Sequence, residues 1–165
     1  MLEKILKKYR QEINGIIQVG AHIGQQVNLF LEIENIDIHL FEPQKDPLEV
    51  LKEYKKYSNI FIHEFGLGNT NEKLKLYRSD NKKGVSSSIL KPKLHNKYFP
   101  EVKFNSHELI DVKKFSDLDN IHGNFLMIDV QGYELEVLKG FEEKIQNLDF
   151  IFTEISIKEF YEKNI

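Results

Sequence analysis

Apolar positions along this chain change period several times, and each change marks an element. Leu2, Ile5, Leu6, Tyr9 and Ile13 recur at helical spacing. The chain therefore opens with an amphipathic helix, closed at Asn14-Gly15. Ile16-Ile17-Gln18-Val19 is short, apolar and β-branched, the pattern of a buried strand. Val27, Phe30 and Leu31 then share one face of a helix, and residues 36–41 form a second strand. Pro47, Leu48, Leu51 and Tyr54 open and line another helix. Proline suits that first turn, where its missing N–H costs nothing. A third strand covers residues 60–65 and stops at Gly66-Leu67-Gly68. Strands alternating with helices predict a mostly parallel sheet with right-handed crossovers, covered by helices on both faces.

The pattern weakens in the second half. Leu74, Leu76 and Tyr77 suggest a short extra strand, and a further strand is expected after His107. Residues 79–106 are the least regular, with Lys82-Lys83-Gly84, a serine run and Pro92 and Pro100 as punctuation. Order returns with a strand at residues 125–129, a helix carrying Leu135, Leu138 and Ile145, and a last strand at residues 150–155. No internal repeat and no linker divides the chain, so residues 1–165 read as one domain.

Composition narrows the function without naming it. Hydrophobic residues make up 41% and charged residues 30%, as in ordinary globular proteins. A net charge of −3 argues against nucleic acid as the main partner. With no cysteine, disulfides, thiolate zinc sites and cysteine nucleophiles are excluded. The N-terminus lacks the apolar core of a signal peptide, and no stretch has the length of a membrane span. A cytoplasmic protein without membrane attachment is expected.

Candidate chemistry gathers at the carboxyl ends of the strands, where open α/β sheets bind ligands. Gly20 and Gly24 bracket the first strand-to-helix turn. Such a turn either lets a ligand approach the backbone or is only a tight connection. A dinucleotide fingerprint starting at Gly20 would need glycine where His22 and Gln25 stand, and no Gly-Lys-Ser/Thr phosphate loop exists. This disfavours a nicotinamide oxidoreductase and favours a ligand poor in phosphate. Glu42 ends the second strand about 22 residues after Gly20, close to the roughly 20 expected of a ribose-binding acid. Asp129 ends the fourth main strand, placed to orient a hydroxyl or take its proton, and Glu154 ends the last and can share that work.

Glu134 and Glu136 suit the first turn of the helix that follows Gly132 and are read as structural. His22 faces a ligand's tail or simply packs, and His107 is a further candidate base. His22, Asp129 and Glu154 are acceptable hard-metal ligands, but their spacing does not require a metal and none is expected. Ser86, Ser87 and Ser88 either line an acceptor pocket with hydroxyls or form a plain polar loop.

Four segments, taken in order, resemble the FkbM family of S-adenosylmethionine-dependent methyltransferases. Val19-Gly20-Ala21-His22-Ile23-Gly24 is similar to the family's Val-Gly-Ala-Asn-x-Gly turn, and Phe41-Glu42-Pro43 matches its Phe-Glu-Pro. Residues 84–89 resemble its Gly-x-Ser-Ser stretch. Residues 128–140, with Asp129-Val130-Gln131-Gly132, resemble its Asp-Val-Glu-Gly signature.

The resemblance implies a Rossmann-like class I methyltransferase fold, with S-adenosylmethionine as cofactor. It implies O-methylation of a hydroxyl on a sugar, polysaccharide or natural product. The turn from Gly20 to Gly24, including Ala21 and His22, would hold the methionine part, with Gln18 near its ammonium. Glu42 would bind the ribose, and Gly66 would lie near the adenine. Asp129 and Gln131 would face the transfer site.

The chain departs from the family pattern at Gln18, where Asp is usual, at His22, where Asn is usual, and at Gln131, where Glu is common. The sheet's usual C-terminal antiparallel strands are not expected before Lys163-Asn164-Ile165, whether the chain is minimal or truncated. An uncovered sheet edge would then favour pairing between two copies. A domain that keeps the fold but has lost turnover is the alternative reading.

Overall fold

The computed structural model describes residues 1–162; Lys163, Asn164 and Ile165 lie outside the described residues. The first apolar stripe forms α1 (Leu2–Tyr9), which stops before Ile13, and the chain turns into β1 (Gly15–Val19). The next apolar face yields only a short helix, α2 (Val27–Phe30), followed by β2 (Asp37–Phe41) and α3 (Lys45–Leu51). β3 (Ile60–His63) is shorter than its apolar run, because the chain leaves the sheet and re-enters pairing elsewhere as β4 (Gly66–Leu67). β5 (Glu72–Arg78), α4 (His95–Tyr98) and β6 (Ser106–Lys113) follow. The chain then returns through β7 (Phe125–Ile128), α5 (Glu134–Lys139) and β8 (Phe150–Thr153).

Two sheets result. The larger is wholly parallel, in the order β3-β2-β1-β7-β8. β1 sits at its centre, between β2 on one side and β7 on the other, so the strand order reverses there and a crevice opens at the carboxyl ends. The smaller sheet, in the order β4-β6-β5, was not anticipated as a sheet. His107, expected to precede a strand, lies inside β6 opposite Tyr77.

Strand alternation sorts the apolar side chains into two layers. Ile16, Ile38, Leu40, Phe125 and Met127 pack with Leu6, Val27, Phe30, Leu48 and Leu51, on the side of α1, α2 and α3. Ile17, Val19, Leu126 and Ile128 face the other way, onto Val137 and Phe141 around α5 and onto Phe115 and Leu67. Helices alone were expected on both faces, but the second face is shared between α5 and the smaller sheet. Leu67, on the β4 strand of that sheet, belongs to this second layer. Among the described residues, no helix is long and apolar enough to cross a membrane.

Candidate active site

At the switch point a cleft of about 730 Å³, including its open mouth, is lined by the ends of β1, β2 and β7 and by the smaller sheet. Gly20 forms its base. Its φ is +82°, and a Cβ there would lie 2.0 Å from the Asp129 carbonyl oxygen, so only glycine lets the β1 and β7 ends meet. Glu42 stands beside it with only 2% of its surface exposed. One carboxylate oxygen accepts the His22 N–H and the other accepts the Gln44 N–H, each at 2.8 Å. Burial nevertheless pushes the Glu42 carboxyl up to about 7, outweighing those hydrogen bonds. A buried carboxylate of this kind gains from further donors. The buried Gln44 Oε1, on the same wall, has no partner.

His22 lines this cleft with φ +49°. Its Nδ1 lies 2.8 Å from Gln25 Nε2 and its Nε2 lies 3.2 Å from the Lys83 carbonyl. The amide of Gln25 donates to the first, so the second carries the proton and donates to the carbonyl. The ring thereby ties the 82–88 loop to the glycine turn. Ser87 lines the cleft from that loop. Ser88 points elsewhere and donates to the Gln131 carbonyl at 2.7 Å.

The turn after β7 organises the opposite wall. Gln131 (φ +55°) and Gly132 (φ +100°) are both left-handed. Glu134 Oε1 accepts the Val130 and Gly132 N–H groups at 3.2 and 3.0 Å, which fixes the turn. Gln131 Nε2 donates to Asp129 Oδ1 at 2.8 Å, while Gln131 Oε1 accepts from the Tyr161 hydroxyl at 3.3 Å. Gln131 thus lines both the first cleft and a second one, which also holds Glu154, Ser86, His95 and Tyr161. The Glu154 carboxyl is raised above the ordinary range, first by the Asp129 charge, then by burial and Glu134.

Of the residues singled out from sequence, Gly20, His22, Glu42, Gly66, Asp129, Gln131 and Ser87 meet in the first cleft. Glu154 and Ser86 reach the second. Three expected cofactor contacts fall outside both linings. Gln18 is buried in β1 with its amide on Gln26, Ala21 is fully buried, and Gly24 packs under Tyr54 and Leu51. His107 is exposed on β6 and reaches neither cleft. The sequence reading missed Gln44, Tyr161 and His95. Gln44 followed a recognisable Phe-Glu-Pro, whereas the other two carry no local signal. Among the described residues no group of three or more metal-ligating side chains is arranged to hold a metal.

A family model described as the methyltransferase FkbM domain matches residues 18–164. The chain is 25% identical, over 158 aligned residues, to the 2-O-methyltransferase NoeI of Sinorhizobium fredii (strain NBRC 101917 / NGR234). That alignment covers 89% of this chain and 65% of the relative, so the chain spans less than two thirds of NoeI's length. Among solved structures, the methyltransferase FkbM of Methylobacillus flagellatus KT superposes with a TM-score of 0.52 at 19% identity. The match covers 80% of this chain and 29% of that one, and it bears on the fold, which is Rossmann-like.

Proposed function

Because this chain belongs to the FkbM methyltransferase family, we propose that it binds S-adenosylmethionine in the first cleft and methylates a hydroxyl of a sugar or natural-product acceptor. The observation that carries this reading is the buried Glu42 carboxylate on the cleft wall, at the end of β2. Ribose hydroxyls are donors, and the Glu42 oxygens have lone pairs left after accepting one N–H each. The unpartnered Gln44 Oε1 is a second acceptor in the same wall. The residues present therefore fit the cofactor. Oxygen as the methylated atom is supported by the printed name of NoeI alone.

When bound, the cofactor supplies a methyl group activated by a sulfonium. The chain's own part is positional and acid–base. Glu42 and Gln44 would hold the ribose end, and the Gly20 turn would accept the methionine end against bare backbone. Asp129 would take or hold the acceptor hydroxyl proton, with its carboxylate aimed by the Gln131 amide. Glu154, whose carboxyl is shifted upward by the nearby Asp129 charge, is the second acid–base group. His107 has no part in this assignment.

Calorimetric titration with S-adenosylhomocysteine, with NAD as control, tests the reading. Binding of the first alone is expected. Glu42→Ala should weaken it by about 1.5–3 kcal/mol, and an unchanged dissociation constant would remove the ribose role. Asp129→Asn should leave that binding nearly intact while lowering methyl transfer in an acceptor screen. No binding to the unaltered chain would favour the non-catalytic alternative.

A further inference from the structure

We propose that the second cleft selects an acceptor carrying a protonated amine beside the hydroxyl to be methylated, that is, an amino sugar, and turns away anionic acceptors. The inference rests on the methyltransferase reading above and adds the charge class of its acceptor. The cleft, about 1210 Å³ including its open mouth, meets the cofactor cleft at Gln131, so a molecule bound there lies beside Asp129.

Its walls carry three carboxylates, Glu101, Glu134 and Glu154, against one cation, Lys82. Among the described residues, no lysine or arginine forms an ion pair with those three or with Asp129. The mutual repulsion is visible at Glu154, whose carboxyl is shifted upward chiefly by the Asp129 charge. A cation between these groups would relieve it, whereas a phosphate or carboxylate would add to it.

A second, independent feature points to a hydrogen-bonding ligand. His95 is 6% exposed and stands in the wall of the cleft, yet its Nδ1 has no hydrogen-bond partner. Burial shifts its pKa down, which favours the neutral ring, and a neutral ring nitrogen can accept from a hydroxyl or ammonium group. Phe99, 44% exposed, and Phe160 add apolar ring surface to the same cleft. Carboxylates, an acceptor nitrogen and ring faces together match a sugar ring bearing an amine.

The test compares a glucosamine trisaccharide with its fully N-acetylated counterpart and with glucose 6-phosphate. Calorimetry is run on the S-adenosylhomocysteine-loaded and the free protein, at mildly acidic pH where the amines are protonated. The amine-bearing trisaccharide should bind about tenfold more tightly than the acetylated one, and the phosphate should not bind measurably. In a Glu101→Gln, Glu154→Gln double variant the preference should fall to about twofold. Both positions are exposed, so the fold should tolerate the change, as a melting curve would verify. Glu12→Gln, outside both clefts, should leave the preference intact and so control for net charge.

Equal affinities, tighter binding of the phosphate, or a preference that survives the double variant would each overturn the proposal. Failure of S-adenosylhomocysteine to bind would instead strike at the methyltransferase reading. The amine preference would still be read on the free protein.

Discussion

At Glu42, burial and function pull in opposite directions, and pH exposes the conflict. The folded-state pKa, about 7, lies above the ordinary 4.5, so the native chain keeps a proton that the unfolded chain has released. The sign follows from linkage: stability falls as pH rises from about 4.5 to about 7, by about 3 kcal/mol in all, and then levels off. Ribose donors favour the ionised form. S-adenosylhomocysteine should therefore bind more tightly as pH rises through about 7 and release a proton below it. Calorimetry in buffers of different ionisation heat reads that proton directly, and a flat affinity between about pH 6 and about pH 8 would contradict the role. Glu42→Gln should flatten both profiles. It should also lose a hydrogen bond, because an amide nitrogen cannot accept the N–H that one carboxylate oxygen now takes.

Glu42, Gly20 and Asp129 were legible because each ends a strand, and a strand end can be read from local pattern. His95 was not. It lies in the irregular 79–106 segment and is enclosed because the chain's C-terminal part folds back across it. The Lys93 and His95 N–H groups both donate to the Phe160 carbonyl, and Tyr161 packs against the ring at 5.5 Å. Nothing local to His95 announces a contact some 65 residues away.

Among the elements, α5 shows how a signature can serve packing as well as chemistry. The recognised segment ends at Gly140, and a Cβ there would lie 1.8 Å from the Gly68 carbonyl oxygen, just after β4. The Gly140 carbonyl in turn accepts the Ser116 N–H at 3.0 Å. The end of α5 is thus pressed against the chain that leaves the smaller sheet, and that pressure helps hold the second cover in place. Gly140→Ala should cost about 3 kcal/mol, since backbone rather than a side chain must yield. A lower urea midpoint at unchanged slope would show it, and a loss under about 0.5 kcal/mol would mean that the contact relaxes freely.

The smaller sheet itself was only half legible. In β6, Ile110 and Val112 are buried in proper alternation, but Leu109 just before them is 68% exposed and breaks the apolar–polar rhythm. β4 is two residues long, too short to leave any period.

At the scale of the whole molecule, the consequence lies at the β8 edge. The parallel sheet was readable from the alternation of strands and helices, but its order, with β1 central and the sequence reversing across it, was not, because no local pattern says which strands become neighbours. β8 pairs with β7 on one side, and among the described residues no strand pairs with the other. Ile151 on that strand is 46% exposed. The opposite edge differs: next to β3, Glu64 pairs with Lys52 and Lys55, and such charges discourage strand addition. Two copies related by a two-fold axis can join their β8 edges antiparallel, making one continuous sheet from two. We therefore expect the chain to dimerise through β8. Sedimentation equilibrium should show a mass that rises toward the dimer with concentration, and Ile151→Lys should hold it at the monomer. S-adenosylhomocysteine binding should be unaffected, because Ile151 lies outside both clefts. A wild-type chain that stays monomeric at its highest soluble concentration would show that the open edge does not recruit a second copy.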